Sequence, residues 1–204
     1  MINGENSPLP LLCFDAQHGW SDLLTLAGPF LDPGGLHRLQ TCLTQTVKAV
    51  LVERHYIDKD YRDTFSNFHS KRFSTPDSRC IRLHFLDTAL DPLAIREPAR
   101  LQAAYCGYAV IRPTRPNSIG RTLIDPHKLP NVKGTMRLCE ESVCVQGTEV
   151  RTSGFPFLSQ DADVTVCAQS ALCHSIIVFQ RWLHRQRRQS FSLPAVARGT
   201  GSRS

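Results

Sequence analysis

No apolar run in this 204-residue chain approaches the roughly 20 residues needed to cross a bilayer. The opening "MINGENSPLPLLCFD" lacks the basic flank and long apolar stretch of a secretory leader, so a cytoplasmic location is expected. Walker, dinucleotide-binding and zinc-protease motifs are absent, which removes the commonest phosphate, nicotinamide and metallohydrolase chemistries. Charge of one sign is also missing locally: residues 181–204 contain no acid. That segment holds Arg181, Arg185, Arg187, Arg188, Arg198 and Arg203, as many positive charges as the whole net charge of +6. The remainder of the chain is therefore electrically balanced. With no aromatic platform beside the arginines, nucleic acid is a disfavoured partner. No membrane association is expected.

What is present suits one folded domain, with 41% hydrophobic and 21% charged residues. Eight cysteines are scattered along a chain long enough to bury a core without staples, and they are read as free thiols. Cys139 and Cys144, in "RLCEESVCVQG", have a gap compatible with half a zinc site. No second Cys/His pair at ligand spacing accompanies them, so cross-strand neighbours in a hairpin are expected, and neither a metal nor a cofactor.

Along the chain, residues 1–34 are rich in proline and read as an N-terminal arm, with a short helix from about Ser21 to Leu26. Leu36, Leu39, Leu43, Val47, Val50 and Leu51 recur at helical spacing and predict a helix across that span. "DKDYRDTFSNFHSKRF" continues or restarts it, with Tyr61, Phe65 and Phe68 on one side. Asp58, Asp60 and Asp63 are read as a solvated helix start near Asp60 rather than paired catalytic carboxylates or a calcium loop, and "DPGG" marks a turn before a helix. His55 and His69 fall in this helical region as surface or packing residues.

The period then drops to two. "RCIRLHFL" alternates Ile81, Leu83 and Phe85 against Arg82, His84 and Leu86, which predicts a strand with one face buried. "AAYCGYAVIRPT" and "GRTLID" follow as strands. "GTMRLCEESVCVQGTEVRT" reads as a meander turning near Glu140–Glu141 and Gly147. Short links favour antiparallel pairing. A final apolar-striped helix runs from about Thr165 to Arg185, and residues 186–204 read as a disordered basic tail. The expected fold is α+β over residues 35–185: N-terminal helices, an antiparallel sheet and a Cys-bearing C-terminal helix.

The segment "FLSQDADVTVCAQSALC" carries the chemistry. A helix N-terminus favours thiolate through its unpaired N–H groups and dipole, and Cys167 falls in that first turn. A side-chain amide such as that of Gln160 can donate to an oxyanion beside the Cys167 N–H. Spacing alone favours a small buried cysteine and a loop glutamine making a backbone hydrogen bond. The same residues resemble the Gln-loop-Cys-helix segment of papain-like cysteine peptidases, nearer the bacterial bacteriocin-processing subfamilies than papain itself. The resemblance covers residues 155–180. It implies Cys167 as nucleophile, Gln160 as oxyanion donor and a peptide or protein as substrate.

That family takes its general-base His from a strand after the Cys helix, whereas here only His174 and His184 follow. His174 lies two turns on, about 10 Å along the axis, too far to take a proton from Cys167. Two expectations result. One is a truncated or frame-disrupted enzyme, weakly active or inactive. The other is a permuted site with its base upstream, His84 first and His127 next. The function expected is a cysteine peptidase-like or amide-bond hydrolase/transferase domain. The alternative is a non-catalytic interaction module whose Arg-rich tail engages an acidic partner or nucleic acid.

Overall fold

A computed structural model describes residues 11–13, 19–28, 30–114, 118–130, 132, 134, 138–158 and 175. Strand β1 (Leu11–Cys13) and helices α1 (Gly19–Ala27) and α2 (Pro33–Leu43) open the fold. Asp32 caps α2 by accepting the Gly35 N–H, and Pro33 takes the first helical position, where a missing N–H costs nothing. The turn read from "DPGG" is this cap.

The helix predicted to continue through Leu51 stops at Leu43. Strand β2 (Ala49–Tyr56) takes over, so Val50 and Leu51 belong to a sheet. "AVLV" is a continuous apolar run, and such a run fits a strand buried on both faces as well as a helix. Tertiary pairing decides: Leu51 lies opposite Leu11 on one side and His84 on the other. Helix α3 (Lys59–Asn67) restarts after β2, capped by Asp58, whose carboxylate accepts the Tyr61 N–H at 2.8 Å. His69 is buried against Tyr61 and Phe68, so it is a packing residue. His55 is not helical; it sits in β2.

Strands β3 (Cys80–Leu86), β4 (Tyr105–Ile111) and β5 (Ile119–Ile124) complete a five-stranded antiparallel sheet in the order β1-β2-β3-β4-β5, with α4 (Pro98–Ala104) leading into β4. The fold is thus α+β, as the sequence predicts. Strands β6 (Cys139–Val145) and β7 (Thr148–Gly154) form a separate hairpin. Its one reversal is at Gln146–Gly147, where both φ angles are positive, as a tight type I′ turn requires. The predicted turn at Glu140–Glu141 is absent, because both residues lie inside β6, paired with Ser153 and Thr152.

The sheet is covered on both faces. Ile81, Leu83 and Phe85 point into an apolar cluster with Leu23, Leu36, Leu39 and Leu43 of α1 and α2. Leu86, Leu51, Tyr105 and Leu123, on the opposite face, pack with Leu101 of α4 and Val143, Val145 and Val150 of the hairpin. The one-sided burial expected for β3 is therefore corrected: it is the middle strand of five, and a second layer seals its polar-looking face. The hairpin reaches close enough that Gly154 runs against the Ile124 backbone. No described helix is long and apolar enough to cross a membrane.

The predicted Cys-bearing helix, with Gln160 and Cys167, lies outside the described residues apart from Ser175, which is helical.

Candidate functional site

Strand alternation sends Arg82 and His84 to the same face of β3, beneath the hairpin layer. On the neighbouring β2, Glu53 is register partner to Arg82. Beyond Glu53 the pairing slips by one residue at His55, whose φ is +62°, so that Tyr56 pairs with Cys80. Residues three apart on a regular strand face opposite ways. The bulge cancels that alternation and returns Tyr56 to the side of Glu53. The Arg82 guanidinium consequently stacks over the Tyr56 ring, 4.2 Å from its centre.

Four side chains then close a network. Arg82 Nε donates to Glu53 Oε2 at 2.6 Å, and Arg82 Nη2 donates to the Cys144 carbonyl of the hairpin at 3.0 Å. His84 Nε2 lies 3.3 Å from the same Glu53 oxygen, and its Nδ1 lies 2.9 Å from the Tyr105 hydroxyl. A carboxylate only accepts, so the neutral ring carries its proton on Nε2 and Nδ1 accepts from the Tyr105 O–H. Burial depresses the His84 pKa, and the Glu53 hydrogen bond only partly opposes this. Burial also works to raise the Glu53 carboxyl, but its bond to His84 and the Arg82 charge outweigh it and hold the group below its usual value.

Beside this network is a cleft of about 310 Å³ between the start of α3 and the hairpin. Asp58, Lys59 and Asp60 form one wall, Glu141, Ser142 and Val143 the other, and Tyr56, Arg82, Tyr108 and Arg121 the base. The Tyr108 O–H donates to Glu141 Oε2 at 2.6 Å, Arg121 donates to Glu141 Oε1, and the far side of Arg121 lies 3.8 Å from Asp60. Burial pushes the Tyr108 hydroxyl up, and the Glu141 carboxylate adds to it. Burial also raises the Asp58 carboxyl, against the Tyr61 N–H that it caps. The cleft thus offers both charge signs and two phenol rings, with the side chain of Asp60 45% exposed and that of Arg121 30%.

Of the site residues named from sequence, His84 is 1% exposed, with both ring nitrogens engaged. His127 stands on an exposed turn after β5, its backbone N–H bonded to Asp125. Cys167 and Gln160 lie outside the described residues. Cys139 and Cys144 are not cross-strand neighbours: five apart on one strand, they face opposite ways, Cys139 buried and Cys144 exposed. Among the described residues no group of three or more His, Cys, Asp or Glu side chains is placed to hold a metal. Burial raises the Cys80 thiol strongly and the Cys106 thiol to about 12, which leaves both inert at neutral pH.

Sequence reasoning missed Glu53, Tyr56, Tyr108, Arg121 and Glu141. One signal was available: Arg82 and His84 alternate within an otherwise apolar central strand, and such residues require partners on adjacent strands. No protein-family model, curated protein or solved structure matches this chain.

Proposed function

We propose that the chain divides its work between two parts. The α+β body recognises a peptide or protein segment through the charged cleft, and the segment from Gln160 to Cys167 supplies thiol chemistry of the cysteine peptidase kind. In this reading Cys167 attacks a carbonyl, while the Gln160 amide and the Cys167 N–H hold the oxyanion. The resemblance of residues 155–180 supports the second part.

The observation that carries the division is the setting of His84. A general base needs a ring nitrogen that faces the nucleophile. Both nitrogens of His84 are bonded to Tyr105 and Glu53, and the ring is sealed from solvent. His84 is accordingly a positioning residue of the cleft, not the base for Cys167. The cleft's mixed charges suit a partner bearing both an acidic and a basic group, and its tyrosines suit apolar side-chain stems.

Titration with short peptides, charged and uncharged, followed by amide chemical shifts, tests the recognition part. Charged peptides should move the signals of Tyr56, Asp60, Arg121 and Glu141, and Arg121→Ala should weaken that binding several-fold. Shifts confined to other surfaces, or equal binding by uncharged peptides, would contradict it. If a thiol-directed electrophile modifies Cys167 no faster than the exposed Cys42 and Cys144, the chemistry is excluded and the interaction module alone remains.

A further inference from the structure

We propose that His84 is a proton sensor for the cleft: through Glu53 and Arg82, its charge state sets how firmly the β6–β7 hairpin closes over the sheet. The inference takes from the preceding section only what the hairpin borders, and its own basis is the chain of contacts. Glu53 Oε2 is shared between His84 Nε2 and Arg82 Nε, so one carboxylate serves two groups. Arg82 spends its other arm on the Cys144 carbonyl, a main-chain contact that ties the hairpin to β3. The guanidinium also roofs Tyr56 at the base of the cleft. Sensor, relay, hairpin and cleft are therefore in direct contact.

The effect follows from proton balance. With the hairpin closed, the ring is neutral: Nδ1 accepts the Tyr105 O–H and Nε2–H donates to Glu53. A proton from solvent added at Nδ1 makes both nitrogens donors. The Tyr105 hydrogen then has no acceptor at His84, and the imidazolium and guanidinium must share one carboxylate. The other groups facing the ring do not relieve this. Tyr108 lies directly across on β4, but its hydroxyl is committed to Glu141 of β6. Arg121 on β5 is engaged by Glu141 and Asp60, while Asp58 caps α3. Opening the hairpin admits water to this face and returns His84 toward its ordinary pKa of 6.5. Opening is thus coupled to uptake of one proton and becomes more favourable as pH falls below that value, by at most about tenfold per pH unit.

Backbone hydrogen exchange without any ligand tests the proposal apart from peptide recognition. After correction for intrinsic rates, protection of residues 139–154 should fall several-fold to about tenfold between pH 7.5 and 5.5. Protection of β3 and β4 should fall less, and the hairpin in His84→Gln should show no such dependence. Hairpin protection independent of pH in the natural chain would overturn the proposal, as would an identical dependence in His84→Gln. Should His84→Gln fail to fold, the His84 ring resonance in the natural chain gives the answer: its titration must track the hairpin amides, and titration without a hairpin response would overturn the idea equally.

Discussion

At Gly107 a single hydrogen atom in place of a side chain holds two strands together. Its φ is +141°, and a Cβ there would run into the Leu123 carbonyl oxygen of β5. It stands beside the register slip in β4 that brings Tyr105 opposite Leu86. Gly107→Ala should destabilise the protein by at least about 2 kcal/mol, since strained φ and backbone collision add. Thermal or urea unfolding checks this, and a change below about half a kcal/mol would mean that the strands separate freely there. Glu53 is the second critical residue. Glu53→Gln keeps the shape but removes the charge that answers Arg82 and weakens the acceptor of the His84 Nε2–H. A cost of about 1–3 kcal/mol is expected from the hydrogen bonds to charged partners, with a smaller effect from Arg79→Gln, whose pair with Asp77 is largely exposed.

At the scale of elements, the hairpin turn is the most improvable feature. Gln146 occupies a left-handed position, φ +50°, that favours asparagine, ahead of Gly147 at φ +84°. Gln146→Asn should therefore stabilise the protein by up to about 1 kcal/mol, measurable as a raised unfolding midpoint. Asp58→Ala should cost about 1 kcal/mol through loss of the α3 cap, partly offset because the buried carboxyl is itself strained by desolvation. These elements also show what the sequence makes legible. Period-two alternation marks β3, and Asp32-Pro33 and Asp58 mark two helix starts, because those signals are local. The end of α2 is not local. Val47, Val50 and Leu51 satisfy a helical stripe and a buried strand equally, and only pairing with Leu11 and His84 separates them. The bulge at His55 has no residue signature, since neither glycine nor asparagine occupies it, and without it Tyr56 would face away from Arg82. The cleft assembles from β2, β3, β4, β5, α3 and β6, and no stretch of sequence contains more than a fragment of it.

For the whole molecule, pH dependence is the broadest consequence. His84 has a folded pKa below its ordinary 6.5, so between those values the unfolded chain binds a proton that the folded chain does not. Stability then declines as pH falls from about neutrality through 6.5, and it also falls as pH rises past the ordinary thiol value of 9.0, where the buried Cys80 and Cys106 keep protons that the unfolded chain releases. Glu53, held below 4.5, adds a loss of the same sign at more acid pH, while Asp58, raised from 3.8, acts in the opposite sense there. Denaturation at a series of pH values should show the decline beginning near neutrality, and His84→Gln should flatten it between pH 7.5 and 5.5. Charge is also divided at this scale: the basic excess belongs to residues 181–204, whereas the cleft pairs opposite charges.

The division of labour between recognition and thiol chemistry is tested most directly by the rate at which a thiol-directed electrophile modifies Cys167, measured in the natural chain and in His84→Gln. The account predicts that Cys167 reacts faster than Cys42 and Cys144 in both proteins, with a rate unchanged by the substitution. A Cys167 no more reactive than those two exposed thiols, or one whose reactivity collapses in His84→Gln, would contradict it.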